Sequence, residues 1–195
     1  AAIRHGPLDK AELTEFNPFN ARNISGIVGA VKGKRWLSVV ATSWWAAEQA
    51  LDTMGARFRV EHLVDSDMIE EQLDRAVTTG EAERIAERGD PDARLETPDL
   101  ELRYDIEPGL HATNETSTAT ARFVDGKLEL WIASQAPERA RIAAARAIGI
   151  DVEDVVLFPM PAGGSFDRRY EHDHAIEVAL IAREIGRPVQ LVWSR

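Results

Sequence analysis

The feature of this sequence that most restricts its fold is a pair of alternating segments on either side of Asp125-Gly126. Apolar and polar residues alternate over 119–123 and again over 127–132. A period of two is typical of β-strands that bury one face. Because Asp-Gly tolerates the positive φ angles of a type I′ turn, the sequence predicts that the two segments pair as a β-hairpin.

Helical and strand patterns flank this hairpin, although residues 1–30 carry only weak periodicity. Apolar residues recur at helical spacing in four segments, and a glycine follows each of them. Asp67 and Glu70 have the spacing of a capping box at the start of the second helix. The predicted helices are 43–54, 67–79, 137–148 and 171–185, and the further predicted strands are 36–41, 57–61, 100–106, 155–158 and 189–193. This mixture predicts an α+β fold.

A charged stretch with several helix breakers separates two groups of elements. Residues 81–99 contain two prolines and few apolar side chains, which is typical of a solvated connecting segment. The sequence therefore predicts an α/β unit over residues 1-80, a linker over 81-99 and a second unit over 100-195.

Composition excludes several classes of function. The 195 residues include 33 acidic and 23 basic side chains, and the formal charge of −10 disfavours nucleic acid or an anionic membrane as the main partner. The absence of cysteine excludes a disulfide scaffold, a cysteine nucleophile and an iron–sulfur cluster ligated within this chain. No apolar run approaches the roughly 20 residues that a membrane-spanning helix requires.

The segment 160–169 is the strongest candidate for a binding site. Gly163-Gly164 lies between a predicted strand and a predicted helix, where paired glycines allow a backbone to approach a ligand closely. Free amides near a helix start attract anionic oxygens, and Arg168 and Arg169 can add charge-assisted hydrogen bonds to phosphate. A Gly-Gly turn with two solvated arginines explains the same residues equally well.

Histidines supply two weaker candidates. His111 and Glu115 have the spacing of metal ligands on a helix, but their neighbours do not favour a helix there. His172 and His174 are two residues apart and point to different faces of a helix, so we interpret 171–174 as a solvated helix start.

Two other features, Gln135 and the Trp44-Trp45 pair, have both a simple and a functional interpretation. Gln135 follows a predicted strand and precedes a proline, a common location for site residues at a sheet edge and also for plain helix-entry residues. Trp44 and Trp45 are interpreted as hydrophobic filler of the first unit rather than as a stacking platform.

Five groups of motifs occur together in an order and spacing that resembles one enzyme family. They are His111-Ala112-Thr113-Asn114-Glu115; Asp125-Gly126 with Glu129-Leu130-Trp131; Ser134-Gln135-Ala136-Pro137; Gly163-Gly164-Ser165-Phe166-Asp167-Arg168-Arg169; and Gly186-Arg187-Pro188-Val189 with Trp193-Ser194-Arg195. This combination resembles the large, molybdopterin-binding subunit of the xanthine dehydrogenase and aldehyde oxidase family. The most similar branch is that of isoquinoline 1-oxidoreductase-like bacterial aldehyde dehydrogenases.

The resemblance covers about residues 22–195 and implies both a fold and a set of site residues. It implies a hammerhead-like α/β unit over 1-80, followed over 100-195 by the N-terminal part of a molybdopterin-binding domain with a mixed sheet and packed helices. It implies that the cofactor is bound by Gln135, Gly163, Gly164, Ser165, Phe166 and Arg168, with Gln135 hydrogen-bonded to an oxygen ligand of molybdenum. The family's general-base glutamate is expected downstream, so no catalytic residue and no metal ligand is assigned here, and the chain is expected to be an interior fragment.

The resemblance also implies an activity for the parent enzyme. That enzyme would oxidatively hydroxylate an aldehyde or an N-heterocycle with water as the oxygen source, using molybdenum and molybdopterin in the cytosine dinucleotide form. Electrons would leave through an iron–sulfur small subunit. The chain alone is expected to bind no cofactor and to be inactive. Both cytoplasm and periplasm stay open, because a signal peptide would precede residue 1.

Three residues depart from the family pattern, and two of them, Asn114 and Asp167, favour an alternative. Asn114, Thr116 and Asp167 stand where the family has Met, Pro and Gly. An acidic side chain in a loop that meets a pyrophosphate-bearing cofactor lowers the affinity unless it points away. The alternative is a non-catalytic interaction or assembly domain that retains the fold without the cofactor.

Overall fold

The computed structural model describes residues 1–7, 10–61, 64–106 and 109–194. Two compact units are present, one formed by Ala1–Glu61 with Leu110–Arg195 and the other by His62–Gly109. The strands are β1 (Ala2–His5), β2 (Glu12–Glu15), β3 (Ile27–Lys32), β4 (Trp36–Ala41), β5 (Arg57–Arg59), β6 (Thr118–Val124), β7 (Lys127–Ile132), β8 (Val155–Pro159) and β9 (Val189–Val192). The helices are α1 (Trp44–Met54), α2 (Ser66–Thr79), α3 (Pro91–Leu95), α4 (Pro137–Ile148) and α5 (Asp173–Ile185).

The first sheet of the larger unit is antiparallel and has the order β1-β4-β3, while β2 pairs with β5. Helix α1 begins where Ser43 Oγ accepts the backbone N–H of Ala46 at 3.2 Å, and it ends at Gly55 with φ +63°. The buried face of α1 packs with Leu37 and Val39 of the central strand β4. The predicted strand and helix at 36–54 are therefore present.

The second sheet has the order β8-β7-β6-β9 and carries the predicted hairpin. Strands β6 and β7 pair antiparallel from Ala119 opposite Ile132 to Val124 opposite Lys127. The turn residues Asp125 and Gly126 have φ angles of +52° and +79°, as the hairpin prediction requires. Helix α4 connects the parallel strands β7 and β8, so the sheet is mixed and the α+β prediction is confirmed.

One hydrophobic core joins the two ends of the larger unit. Ile3 and Val40 of the first sheet lie in the same buried cluster as Leu130 of β7 and Val178 of α5. The N-terminal ammonium donates to the carbonyl oxygen of Gln190 at 2.6 Å. The division into 1-80, 81-99 and 100-195 stays a prediction, and in the structure Ala1–Glu61 shares a unit with Leu110–Arg195.

The smaller unit corrects two predictions. The alternating segment 100–106 forms no strand, and its apolar side chains are exposed, because alternation makes a strand only where a neighbouring strand supplies hydrogen bonds. The cap of α2 is Asp65, which accepts the backbone N–H of Met68 at 2.8 Å, so the capping box assigned to Asp67 and Glu70 was wrong. Within the described ranges, no helix is long and apolar enough to cross a membrane.

The two tryptophans at the start of α1 are a third correction. Trp44 is 38% exposed and Trp45 is 65% exposed, so neither fills the core. Trp44 Nε1 donates to the carbonyl oxygen of Val192 at 3.3 Å, which places the ring along the end of β9. The buried face of α1 is instead formed by Ala47, Ala50, Leu51 and Met54.

Candidate functional site

Gln135 lies on the connection between β7 and α4, at the edge of the second sheet. Its backbone N–H donates to the carbonyl oxygen of Arg169 at 3.0 Å. The hydroxyl of the preceding Ser134 donates to the same carbonyl at 3.4 Å and accepts the N–H of Ala136 at 3.0 Å. Two hydrogen bonds to one carbonyl therefore attach this connection to the segment that follows the Gly-Gly loop.

The side chain of Gln135 also contacts that loop directly. Its Nε2 donates to Oδ1 of Asp167 at 3.1 Å, and both side chains are exposed. The structure therefore brings Gln135 next to Asp167, the residue that follows the Gly163–Phe166 loop. It also gives the Gln135 amide an acidic partner within the chain.

The loop has an unusual backbone after Gly163. Gly164 has φ +96°, and Phe166 and Asp167 follow with φ +45° and +63°. Such left-handed conformations are favourable for glycine and tolerated by aspartate, but they are rare for a bulky residue such as Phe. A strained conformation of this kind costs about 1–3 kcal/mol and persists only where the surroundings hold it in place.

Arg169 is the residue that holds the loop. It is 1% exposed, and its Nε donates to the carbonyl oxygen of Gly164 at 3.0 Å. Its Nη2 donates to the carbonyl oxygen of Glu115 at 3.1 Å and to Glu115 Oε1 at 3.2 Å. Nη1 is buried and has no hydrogen-bond partner among the described residues. The interpretation of Arg169 as a solvated arginine was therefore wrong.

Glu115 also holds the loop, through its second carboxylate oxygen. Its Oε2 accepts the backbone N–H of Gly163 at 2.6 Å. A Cβ at position 163 would lie 2.6 Å from the same oxygen and 2.8 Å from the Glu115 Cβ, so a larger residue would displace the Glu115 side chain from the loop. The sequence predicted that loop amides attract anionic oxygens, and in the structure one such oxygen belongs to the chain itself.

The side chain of Arg168 contacts other residues than those that Arg169 contacts. Its guanidinium is paired with Glu171, lies 3.9 Å from an Asp173 carboxylate oxygen, and sits over the Trp193 ring at 5.1 Å from the centroid. A planar guanidinium stacked on an aromatic ring keeps its charge while burying part of its surface. Arg168 therefore connects the loop to the start of α5 and the end of β9.

A buried polar network lies along α5 behind these residues. Glu177 Oε1 lies 2.7 Å from His5 Nε2, and Trp193 Nε1 donates to Glu177 Oε2 at 3.0 Å. Burial raises the pKa of Glu177, although both hydrogen bonds oppose that shift. This network ties β1 to α5 and to the segment after β9.

His174 corrects the interpretation of residues 171–174 as a solvated helix start. It is buried, and its Nε2 lies 3.4 Å from the carbonyl oxygen of Ala133. Burial lowers its pKa to about 4. His174, Val178 and Ile181 share the face of α5 that packs on the sheet, and this helical spacing could have identified the burial.

The site thus contains residues that the sequence singled out and one, Glu115, whose part in it was missed. Gly163, Gly164 and Phe166 lie in the loop that precedes Asp167, the hydrogen-bond partner of Gln135, and the carbonyl oxygen of Ser165 accepts the backbone N–H of Arg168 at 3.0 Å. Glu115 was considered only as a metal ligand, yet it anchors the loop from 48 residues away. In the part of the chain that the structure describes, no group of three or more His, Asp or Glu side chains could hold a metal ion.

Comparison with known proteins gives a consistent family. A family model described as the molybdopterin cofactor-binding domain matches residues 75–195. The beta subunit of isoquinoline 1-oxidoreductase from Brevundimonas diminuta is 32% identical over 106 residues, which span 54% of this chain and 13% of that protein. A subunit of nicotinate dehydrogenase from Pseudomonas putida is 29% identical over 86 residues, which span 44% of this chain and 7% of that protein.

Solved structures share the fold at low sequence identity. Quinoline 2-oxidoreductase from Pseudomonas putida 86 superposes with a TM-score of 0.69 at 18% identity, covering 98% of this chain and 30% of that one. Aldehyde oxidoreductase from Desulfovibrio gigas superposes with a TM-score of 0.70 at 18% identity, covering 99% and 27%. The chain therefore spans less than a third of the length of each of these four proteins.

Proposed function

The chain belongs to the family of molybdopterin cofactor-binding domains, and on this premise we propose that it forms part of the large subunit of a molybdenum hydroxylase. The observation that carries the proposal is the pairing of Gln135 with the Gly163–Phe166 loop, made through Asp167 and the carbonyl of Arg169. These two segments are 28 or more residues apart in the sequence, and they are the two to which the resemblance assigns cofactor contacts.

The residues present fit an anionic cofactor. Arg169 Nη1 is a buried donor without a partner among the described residues, although Nη2 of the same guanidinium is paired with Glu115, and an unsatisfied buried donor favours a nearby acceptor. The face of Gly164 is open, because the nearest neighbours of a Cβ added there would lie 3.9 Å away. We propose that Gln135, Gly163, Gly164, Ser165, Phe166 and Arg168 would hold the group.

Each of these residues would have a separate task. The side-chain N–H of Gln135 would turn from Asp167 and donate to an oxygen of the bound group. The loop backbone would allow close approach, and the 70% exposed ring of Phe166 would cover the group and exclude water. When bound, the molybdopterin group supplies the two-electron oxidation that inserts an oxygen from water into the substrate.

The substrate class is proposed from the relatives. Isoquinoline, nicotinate and quinoline are N-heterocycles and appear in the names of three similar proteins, while a fourth is an aldehyde oxidoreductase. We propose an aldehyde or an N-heterocycle as the substrate of the parent enzyme, and the cytosine dinucleotide form of the cofactor. The general base would be a glutamate outside these 195 residues.

Further subunits complete the proposed enzyme. The isoquinoline 1-oxidoreductase and nicotinate dehydrogenase relatives are each named as one subunit of a larger protein. This chain has no cysteine with which to ligate an iron–sulfur cluster. We propose that electrons leave through a separate iron–sulfur subunit.

One observation favours the alternative of a non-catalytic assembly domain. The two donors that we assign to the cofactor are the side-chain amide of Gln135 and the backbone N–H of Gly163. Both already have partners within the chain, because Asp167 accepts from Gln135 and Glu115 accepts from Gly163. A chain that had lost its cofactor would be expected to satisfy these donors internally.

Metal and pterin analysis separates the two functions. The full-length protein that contains this chain should hold molybdenum and pterin in near-stoichiometric amounts, and their absence would establish the alternative. The 195-residue chain alone should hold neither, because a few hydrogen bonds of about 0.5–1.5 kcal/mol each cannot offset an association cost of about 4 kcal/mol or more. Stoichiometric metal in the isolated chain would contradict this second expectation.

A further inference from the structure

The smaller unit, His62–Gly109, carries all of the net charge of the chain. Its sequence contains 15 acidic and 5 basic residues, a formal charge of −10, whereas the rest of the chain contains 18 of each and is neutral. A charge concentrated in this way attracts a basic partner and repels a second copy of itself.

Helix α2 of this unit has an apolar stripe that nothing covers within the described part of the unit. Ile69, Leu73 and Val77 follow one another at intervals of four residues, so they lie on one face of the helix. Their exposed fractions are 38%, 53% and 73%, and no described residue of α2 is buried. An amphipathic helix normally buries such a stripe against another element.

A groove runs between this stripe and the segment 103–106. Arg103 donates to Asp74 Oδ1 at 2.6 Å, which holds the segment beside α2, and it donates within the segment to Asp105 Oδ1 at 2.9 Å. The groove has a volume of about 920 Å³. Ile69, Leu73 and Ile106 supply its apolar lining, and Asp67, Glu70 and Asp105 supply its acidic edges.

We propose that this groove docks a basic amphipathic segment from another subunit of the parent enzyme. The proposal rests on the proposed function, because it takes the partner to be a companion subunit. A segment with apolar side chains every three or four residues and Lys or Arg beside them matches an apolar lining with acidic edges. Asp67 and Glu70 form no ion pair with a described residue, so their charges are available to such a partner.

The same observations disfavour other occupants. A second copy would bring another −10 unit against this one, and an anionic membrane or a nucleic acid would be repelled in the same way. The charge of Arg103 does not reverse this preference, because Asp74 and Asp105 pair with it.

A synthetic peptide tests the recognition chemistry on the full 195-residue chain. The probe is a helical peptide with leucine at every third or fourth position and lysine elsewhere, compared with a scrambled peptide of the same composition. We expect Leu73→Asp and Glu70→Lys each to weaken binding by about tenfold or more, and Leu95→Asp, on an exposed residue of the same unit outside the groove lining, to leave it unchanged. Equal binding of the scrambled peptide, or equal binding by Leu73→Asp and wild type, would overturn the proposal.

Co-purification tests the partner. Full-length large subunit carrying Leu73→Asp should lose its companion subunit at about 0.3 M salt, while the Leu95→Asp variant retains it. Retention by both variants overturns the proposal, and so does a Leu73→Asp large subunit that no longer folds, because the stripe is then covered within the large subunit itself. Molybdenum content of the large subunit is measured in the same samples, and it reports on the proposed function separately, because no candidate cofactor residue lies in His62–Gly109.

Discussion

The side-chain amide of Gln135 donates a hydrogen bond to Oδ1 of Asp167 at 3.1 Å, across 32 residues of sequence. Asp167 has φ +63°, a conformation that glycine adopts without strain and that aspartate tolerates better than most residues. Aspartate can therefore replace the glycine of the family pattern without changing the loop backbone. The carboxylate of Asp167 adds a hydrogen-bond acceptor beside the Gln135 side-chain N–H, which is the donor that the cofactor would need.

Replacing Asp167 should change cofactor occupancy in the full-length protein. Asp167→Gly removes the acceptor and keeps a residue suited to positive φ, so Gln135 no longer has to break a bond of about 1 kcal/mol. We expect the affinity for the molybdenum cofactor to rise roughly fivefold, which is measured as a higher molybdenum occupancy when the cofactor is scarce. Asp167→Asn is the matched control, since it keeps the acceptor oxygen and removes only the charge. An equal rise in both variants would show that charge, and not the hydrogen bond, limits occupancy.

Gln135→Ala should lower turnover far more than stability. Gln135 is exposed, so its loss should change the free energy of unfolding by no more than about 0.5 kcal/mol. Loss of a hydrogen-bond donor beside the reacting atoms typically lowers kcat by about 10²–10³-fold. The measurement compares kcat and Tm at equal cofactor content. Wild-type kcat in this variant would identify Gln135 as a plain helix-entry residue.

Adjacent arginines should differ in their effect on stability. Arg169→Met removes a buried guanidinium that bonds Gly164 and Glu115, and we expect a loss of about 3 kcal/mol. For a chain of this size, Tm should fall by roughly 6–12 °C. Arg168→Met is the control, because its more exposed ion pair should contribute no more than about 1 kcal/mol. Similar Tm values for the two variants would contradict the role given to Arg169.

His174 should make the chain less stable in acid. Burial lowers its pKa to about 4, below the usual value of 6.5, so between these values the unfolded chain binds a proton that the folded chain does not. Stability is therefore lost as pH falls through this window, by about 3 kcal/mol in total. The raised pKa of Glu177 acts with the opposite sign, because stability is lost as pH rises through it.

The His174 effect is measured by comparing denaturation from pH 7 to pH 4 in two variants. His174→Gln keeps a side-chain N–H that can reach the Ala133 carbonyl oxygen and should flatten the profile. His111→Gln, at an exposed position, should reproduce the wild-type profile. If His174→Gln keeps the full acid loss, protonation of another group is responsible.

Residues 81–99 should be the first internal stretch cut by protease. All but one of the residues in this stretch are exposed, and its only helix is the five-residue α3, so local opening costs little free energy. Limited proteolysis followed by mass spectrometry should locate the first cleavage here. Early cleavage elsewhere, with this stretch intact, would argue against a linker at 81-99.

Elements with strong local signals were predicted closely. The strand at 36–41 and the helix at 137–148 have the bounds that the sequence predicts, and Gly149 ends that helix with φ +64°. Alternation, a proline at the helix start and a glycine at its end act over a few residues, so they do not depend on the rest of the fold.

Elements that depend on distant neighbours were predicted poorly. The segment 100–106 alternates like a strand but forms none, because alternation by itself supplies no partner for the backbone. His174 was expected in solvent and is buried, because the packing of α5 on the sheet decides which face is covered. The charge of −10 is a property of the sequence, yet its confinement to His62–Gly109 becomes visible only when the units are defined.

The residues of the candidate site likewise divide into those that local sequence signals predict and those that only distant contacts decide. The sequence by itself determined that Gln135 follows a strand, that Gly163-Gly164 forms a permissive loop, and that both match one family. Tertiary structure alone decided that Arg169 and Glu115 hold that loop, and that Asp167 accepts from Gln135. The reason is that these hydrogen bonds join segments 32 to 54 residues apart in the sequence. Such contacts depend on the tertiary fold and not on the local spacing of residues along the chain.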